Sequence, residues 1–174
     1  MRIFVLDYGQ DDPVKCTAKK MVRQGLATSV PPKFHASSNI VVLNPFAQKI
    51  LSPEDRGASG ILVVDASWKS AREVFFRKMG GKHRRLPGLL AANPTNYSKL
   101  GLLSSVEAVS ASLYILGEPD EARRFLSLYK WGETFEVLNR EPLEEYSVVK
   151  SASEIRSAEL EFFPHLAGFE SENA

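Results

Sequence analysis

Four groupings of side chains carry the chemistry this 174-residue chain could do. Asp65 closes the apolar run Gly60-Ile61-Leu62-Val63-Val64, so a carboxylate stands at the end of a buried strand. There it can accept a proton or face a positive centre, or simply cap the helix that follows. Trp68 and Ala71, three apart on that helix, share a face. On that pattern alone, a Trp packed under the sheet is the expectation. Cys16 lies near a helix N-terminus, a position that lowers a thiol pKa, but no histidine base is near it in sequence. A small buried residue is the better expectation for it. The fourth grouping is cationic: Lys69, Arg72, Arg77, Lys78, Lys82, Arg84 and Arg85 surround His83 with Glu73 as the sole acid. Such a stretch concentrates polyanions at one surface, or is a solvated helix face followed by a basic loop.

The elements that must position these groups follow from patterning. Apolar runs predict strands at 2–7, 39–44, 60–64 and 89–93, each closed by Asp, Asn or Pro. Asp12-Pro13 starts a helix over 14–25, Ser52-Pro53 a helical turn, and Ser67 caps a helix over 68–76. The paired Gly80-Gly81 reads as a loop whose backbone can approach a ligand closely. After residue 100 the texture turns helical. Ser104 and Glu107 form a capping box, with Val106, Val109, Leu113 and Leu116 on one face. Helices follow over 119–130 and from Trp131, the latter ended or kinked by Pro142. Strand–helix alternation argues an α/β fold with a largely parallel sheet. The expected division is a basic α/β region 1–100, a helical region 101–147 and an acidic, frayed tail 148–174. Ligands of parallel sheets sit beyond the carboxyl ends of the strands, which directs attention to Asp7, Leu43-Asn44-Pro45, Val64-Asp65 and Asn93.

Composition excludes several classes. Hydrophobic residues make up 44% and charged residues 25%, so neither a disordered chain nor a fibre is expected. No apolar run approaches the roughly 20 residues that span a bilayer, and Met1–Asp7 does not read as a secretory signal. One cysteine allows no internal disulfide, and Cys16 with His35, His83 and His165 lacks zinc-ligand spacing; a cytoplasmic protein without metal is expected. No phosphate-loop, dinucleotide or nucleophile-elbow motif is present. Net charge is +1, but residues 1–100 carry 16 basic and 7 acidic side chains, and residues 101–174 carry 6 and 14. The positive charge is therefore local.

Six stretches occur in a telling order. They are Asp12-Pro13-Val14-Lys15-Cys16-Thr17-Ala18-Lys19-Lys20; Leu43-Asn44-Pro45 with Leu51-Ser52-Pro53-Glu54-Asp55-Arg56; Val64-Asp65-Ala66-Ser67-Trp68; Ala91-Ala92-Asn93-Pro94-Thr95-Asn96-Tyr97; Leu103-Ser104-Ser105-Val106-Glu107-Ala108; and Lys130-Trp131-Gly132-Glu133-Thr134-Phe135. Together, over about residues 1–147, they resemble the small-subunit ribosomal RNA aminocarboxypropyltransferases. That resemblance implies a SPOUT-like fold with a C-terminal trefoil knot, and S-adenosylmethionine as donor of its 3-amino-3-carboxypropyl group. The acceptor it implies is N3 of a (methyl)pseudouridine in small-subunit rRNA or a pre-ribosomal particle. No membrane or obligate protein partner is implied.

The resemblance also distributes roles. Trp68 and Ala71 would wall off the methyl group. Thr17 and Ser105, each at a helix N-terminus, would hold the amino acid end. Leu43, Pro45 and Trp68 on one side and Leu86, Leu103 and Ala108 on the other would enclose adenine, with the backbone of Leu86 and Gly101 reading its edge. A bulkier residue is expected at Gly101. The Val64 carbonyl would meet the ribose, and Asp65 would take the N3 proton or favour the positive sulfur. RNA would lie along Lys15, Lys19, Lys20, Arg23, Arg56, Lys69, Arg72, Lys82, His83, Arg84 and Arg85, offering an unstacked base. Two other functions fit the same residues: a methyl transfer from the same donor, and a non-catalytic rRNA-binding assembly module.

Overall fold

The computed structural model describes residues 1–9, 16–66, 73–75 and 79–168. Five strands form one sheet: β1 (Arg2–Asp7), β2 (Thr28–Val30), β3 (Ala36–Leu43), β4 (Gly60–Asp65) and β5 (Gly80–Arg84). Their order is β2-β1-β4-β3-β5, and every pairing is parallel. All carboxyl ends therefore line one edge. α1 (Thr17–Arg23) joins β1 to β2. After β5 the chain becomes helical: α2 (Ser105–Ile115), α3 (Pro119–Leu126), α4 (Gly132–Leu138), α5 (Arg140–Val148) and α6 (Ala152–Phe162).

Strand alternation divides the apolar residues between two faces. Ile3, Val5, Val41, Leu43, Ile61 and Val63 join the main core with α1 and the C-terminal helices. Leu6, Ile40, Val42 and Leu62 face a smaller group that includes Met79. Burial on both faces is why β4 reads as an unbroken apolar run rather than an alternating one. α2 is buried on nearly every side, from Val106 to Ile115, because it lies between the sheet and the other helices.

Four features differ from the sequence-based expectation. The stretch read as a basic glycine loop is β5, the edge strand. A Cβ on Gly80 would come within 2.4 Å of the Ala36 carbonyl, and one on Gly81 within 2.8 Å of the Ile40 carbonyl. The glycines thus allow close approach of β5 to β3, not to a ligand. The strand expected at 89–93 is absent, leaving only the bridge Leu90–Leu100. Side chains from the helices take its backbone instead: Asn139 bonds both the N–H and the carbonyl of Leu90, and Glu107 accepts from the N–H groups of Ala92 and Asn93. Pro142 does not end a helix. The break falls at Asn139, and Pro142 lies in the first turn of α5, where its missing N–H has no intrahelical partner to lose. The expected frayed tail also holds α6, capped by Ser151 and anchored by buried Ile155, Ala158 and Glu159. The helix start at Asp12-Pro13 and most of the helix over 68–76 lie outside the described residues; Glu73, Val74 and Phe75 are helical.

Candidate active site

At the carboxyl edge of the sheet, Asp65 ends β4 beside Asp7, which ends β1 in register with it. Asp65 is only 9% exposed. Two helix N-termini converge on its carboxylate. From α1, the Cys16 thiol donates to Oδ2 at 2.8 Å while its sulfur accepts the Lys19 N–H at 3.4 Å. From α2, Ser105 Oγ lies 3.4 Å from Oδ1. The two helices also touch each other, with the Val106 N–H donating to Thr17 Oγ1 at 3.3 Å. The structure therefore brings Asp65, Thr17 and Ser105 into one cluster.

Cys16, set aside as a small buried residue, is indeed buried and is also part of this cluster. Burial, followed by the hydrogen bond to Asp65, pushes its thiol pKa up to about 12. It is held as a protonated donor, the opposite of the activated thiolate that a nucleophile needs.

The expected adenine walls are similarly grouped. Leu43 is buried in the main core, and Leu86, Leu103 and Ala108 pack against the same group. Pro45 is exposed just past β3. Val64 faces the opposite side of the sheet, so only its backbone is available on the site's side. Gly101 has φ +74, a left-handed conformation that disfavours any bulkier residue there, and its N–H donates to the Leu89 carbonyl. The loop leading to Ser105 is pinned by Glu107, which is fully buried. Its Oε1 accepts from Ala92 N and Asn93 N at 2.6 and 3.0 Å; its Oε2 accepts from Asn93 Nδ2, Ser104 N and Ser104 Oγ at 2.7–2.8 Å. Trp68 and Ala71 lie outside the described residues.

The cationic set divides. Arg84 makes a two-point ion pair with Asp55, both contacts at 2.9 Å. Arg85 does the same with Glu159 at 2.9 and 3.1 Å. His83 accepts or donates through Nδ1 with Asn44 Nδ2, and its Nε2 meets the Gly80 carbonyl; a carbonyl only accepts, so Nε2 carries the proton and Nδ1 accepts from the amide. These three side chains are thus tied into the fold by partners within the chain. Arg56 donates to the Ser147 carbonyl at 2.7 Å. Lys20 donates to the Leu128 carbonyl and lies over the Tyr129 ring, and Lys19 pairs with Asp7 at 3.4 Å. Arg23 is exposed and Lys82 is half-buried. Lys15, Lys69 and Arg72 lie outside the described residues. Sequence reasoning missed Glu159, whose only signal was an acid on the inward face of a helix.

Comparison with known proteins defines the class. A family model described as ribosome biogenesis protein, C-terminal, matches residues 41–163. A second, described as a possible Fer4-like domain in RNase L inhibitor, matches residues 1–32, although the chain's single cysteine cannot supply the four thiolates of an iron–sulfur cluster. The first of these matches, which covers more than half of the chain, places it among the ribosome biogenesis proteins. It is 42% identical over 171 residues to the 16S rRNA aminocarboxypropyltransferase of Sulfurisphaera tokodaii, covering 97% of this chain and 99% of the relative. It is 43% identical over 155 residues to that of Methanosarcina mazei, covering 88% and 90%. The structure of the SAM-dependent rRNA:acp-transferase Tsr3 from Vulcanisaeta distributa superimposes with a TM-score of 0.82 at 42% identity, covering 92% of this chain and 88% of that one. The chain belongs to the 16S rRNA aminocarboxypropyltransferase family.

Proposed function

We propose that this chain transfers the 3-amino-3-carboxypropyl group of S-adenosylmethionine to N3 of a pseudouridine-type base in small-subunit rRNA. The observation that carries this is the buried Asp65 carboxylate at the meeting point of two helix N-termini, in a chain 42% identical to named aminocarboxypropyltransferases over nearly its full length. The residues fit the donor. A carboxylate faces the place where a sulfonium would lie, hydroxyls at two helix N-termini suit a carboxylate, and an apolar group suits adenine. When bound, S-adenosylmethionine supplies a carbon open to in-line attack. In the transfer the N3–carbon bond forms as the carbon–sulfur bond breaks, leaving a neutral thioether. The N3 proton must go to an acceptor, and Asp65 serves as that acceptor or offsets the positive sulfur. Thr17 and Ser105 orient the amino acid end. Trp68 and Ala71 cover the methyl group, which decides which carbon faces the base.

The finer fold assignment belongs here too. An all-parallel sheet, and a chain that returns from the β5 edge to place Ser105 against Asp65 under β1 and β4, support a SPOUT-like fold with a trefoil knot. Among the described residues no helix is long and apolar enough to cross a membrane, and we assign the protein to the cytoplasm, acting on a pre-ribosomal particle.

The test is mass spectrometry of rRNA treated with the protein and S-adenosylmethionine. A C4H7NO2 adduct is expected; a CH2 adduct would instead establish methyl transfer. Calorimetry should show S-adenosylmethionine binding that weakens in Trp68→Ala. Absence of binding to the parent chain would leave only the non-catalytic assembly module.

A further inference from the structure

A cleft of about 590 Å³ opens at the β5 edge of the sheet, and its wall is charged. Lys49, Lys82, Arg84, Arg85 and Arg156 line it, with Glu54 and Asp55 as the acids. Pockets for small organic ligands are mostly apolar; here Ile50 and Ala152 are the only apolar side chains among twelve lining residues. The ion pairs explain how the cations divide. Asp55 holds Arg84, and Glu159, behind the wall, holds both Arg85 and Arg156. Glu54 accepts from the Ala152 N–H and the Ser52 hydroxyl. Lys49 and Lys82 have no ion pair or side-chain hydrogen bond among the described residues. The guanidinium–carboxylate pairs form a rigid floor, and the two ammonium groups are left to a ligand.

The location identifies the ligand. The segments that build the cleft continue directly into the expected cofactor walls: Leu86 follows Arg85, and Pro45 precedes Gln48 by three residues. The parallel bridge between Ile50 and Arg85 ties the two segments together. A polyanion seated in this cleft lies against the segments that carry the expected cofactor walls. The geometry points to a phosphate-binding cleft for the RNA backbone flanking the modified nucleotide, in which Lys49 and Lys82 contact phosphates over the Arg84–Asp55 and Arg85–Glu159–Arg156 floor. This rests on the rRNA-modifying function proposed above. It adds Lys49 and a wall from α6 to a surface that sequence alone confined to the basic half, and it removes Arg84 and Arg85 from direct phosphate contact.

The experiment compares the parent chain with Lys49→Ala/Lys82→Ala on an RNA containing the target site, across a salt series. Each single-strand phosphate contact contributes about 0.7 to the log–log salt slope, so the double variant should lose about 1.4 of slope and roughly tenfold in affinity near 0.15 M salt. Melting temperature and S-adenosylmethionine affinity should be unchanged. An unaltered slope and RNA affinity would overturn the cleft assignment while adduct formation by the parent chain kept the enzymatic reading intact. Failure of the parent chain to form any adduct would strike that reading instead. Inorganic phosphate supplies the control. Lysine-dependent phosphate binding with no change in RNA affinity would make the occupant a free anion and overturn the RNA assignment.

Discussion

Replacing Glu107 by Gln is the sharpest test of how the active-site loop is held. The change keeps shape and volume but converts one of two acceptor oxygens into a donor. The carboxylate accepts five hydrogen bonds, two at Oε1 and three at Oε2, and the residue is fully buried. If the amide oxygen takes the Oε2 place, its NH2 group faces the N–H groups of Ala92 and Asn93. In the other orientation it faces Asn93 Nδ2 and Ser104 N. Either way two buried donors lose their acceptor and meet another donor. An orphaned buried donor costs about 1–3 kcal/mol, so the variant should lose roughly 4 kcal/mol. For a chain of this size that is a fall in melting temperature of about 8–16 °C. Because Ser104 precedes Ser105, which touches Asp65, S-adenosylmethionine affinity should fall as well. Differential scanning calorimetry with and without S-adenosylmethionine reads both effects. A variant that melts within about 1 °C of the parent would refute the account, since the loop would then be held by something other than these five bonds.

Cys16 and Glu159 carry three further predictions. Cys16→Ser keeps a donor to Asp65 and should retain transfer within a few-fold, whereas Cys16→Ala should lose about tenfold to a hundredfold in kcat, as expected for a lost bond to a charged acceptor of about 1.5–3 kcal/mol. With its pKa raised to about 12, native Cys16 should resist iodoacetamide at pH 8 and react only on unfolding; rapid native labelling would contradict this. Burial on its own would raise the pKa of Glu159, but Arg85 and then Arg156 overcome it and hold the carboxyl below its ordinary value. That stabilisation is fully present above the ordinary value of about 4.3 and is lost as pH falls through the lower native value. Acid titration of stability should therefore be flatter in Glu159→Gln than in the parent; parallel curves would rule the pair out as a contributor.

Much of the fold was legible because burial writes itself into sequence. β1, β3 and β4 are apolar runs, and α2 announces itself through Ser104 and Glu107. β5 was not legible, since an edge strand of Gly, Lys, His and Arg has the composition of a basic loop, and its glycines serve contact with β3. The break at Asn139 carries neither Gly nor Pro; it exists because the amide is needed at Leu90. The site showed the same split. Asp65 stood out as a strand end, while Thr17 and Ser105, each at a helix start, came from the resemblance; the three lie together. The engagement of Arg84 and Arg85 was not legible, because their carboxylate partners lie 29 and 74 positions away, and long-range pairing leaves no local mark.

The opposed charges of the two halves acquire a structural meaning from these pairs. Between Arg85 and Ser104 the chain contains neither helix nor strand, yet Pro87, Gly88, Leu89, Ala91, Ala92 and Asn93 are buried. Buried backbone without a ladder must find side-chain partners. It finds them in the helical half: Glu159 accepts from the Gly88 N–H, the Tyr146 hydroxyl donates to the Gly88 carbonyl, Asn139 brackets Leu90, and Glu107 takes Ala92, Asn93 and Ser104. Three helices and the Asn139 junction thus grip one irregular segment through polar groups that apolar packing could not replace. That segment carries Leu86, Gly101 and Leu103, the residues expected around adenine. The buried acids of the C-terminal half are therefore what let this segment stay irregular where its apolar residues alone predict a strand.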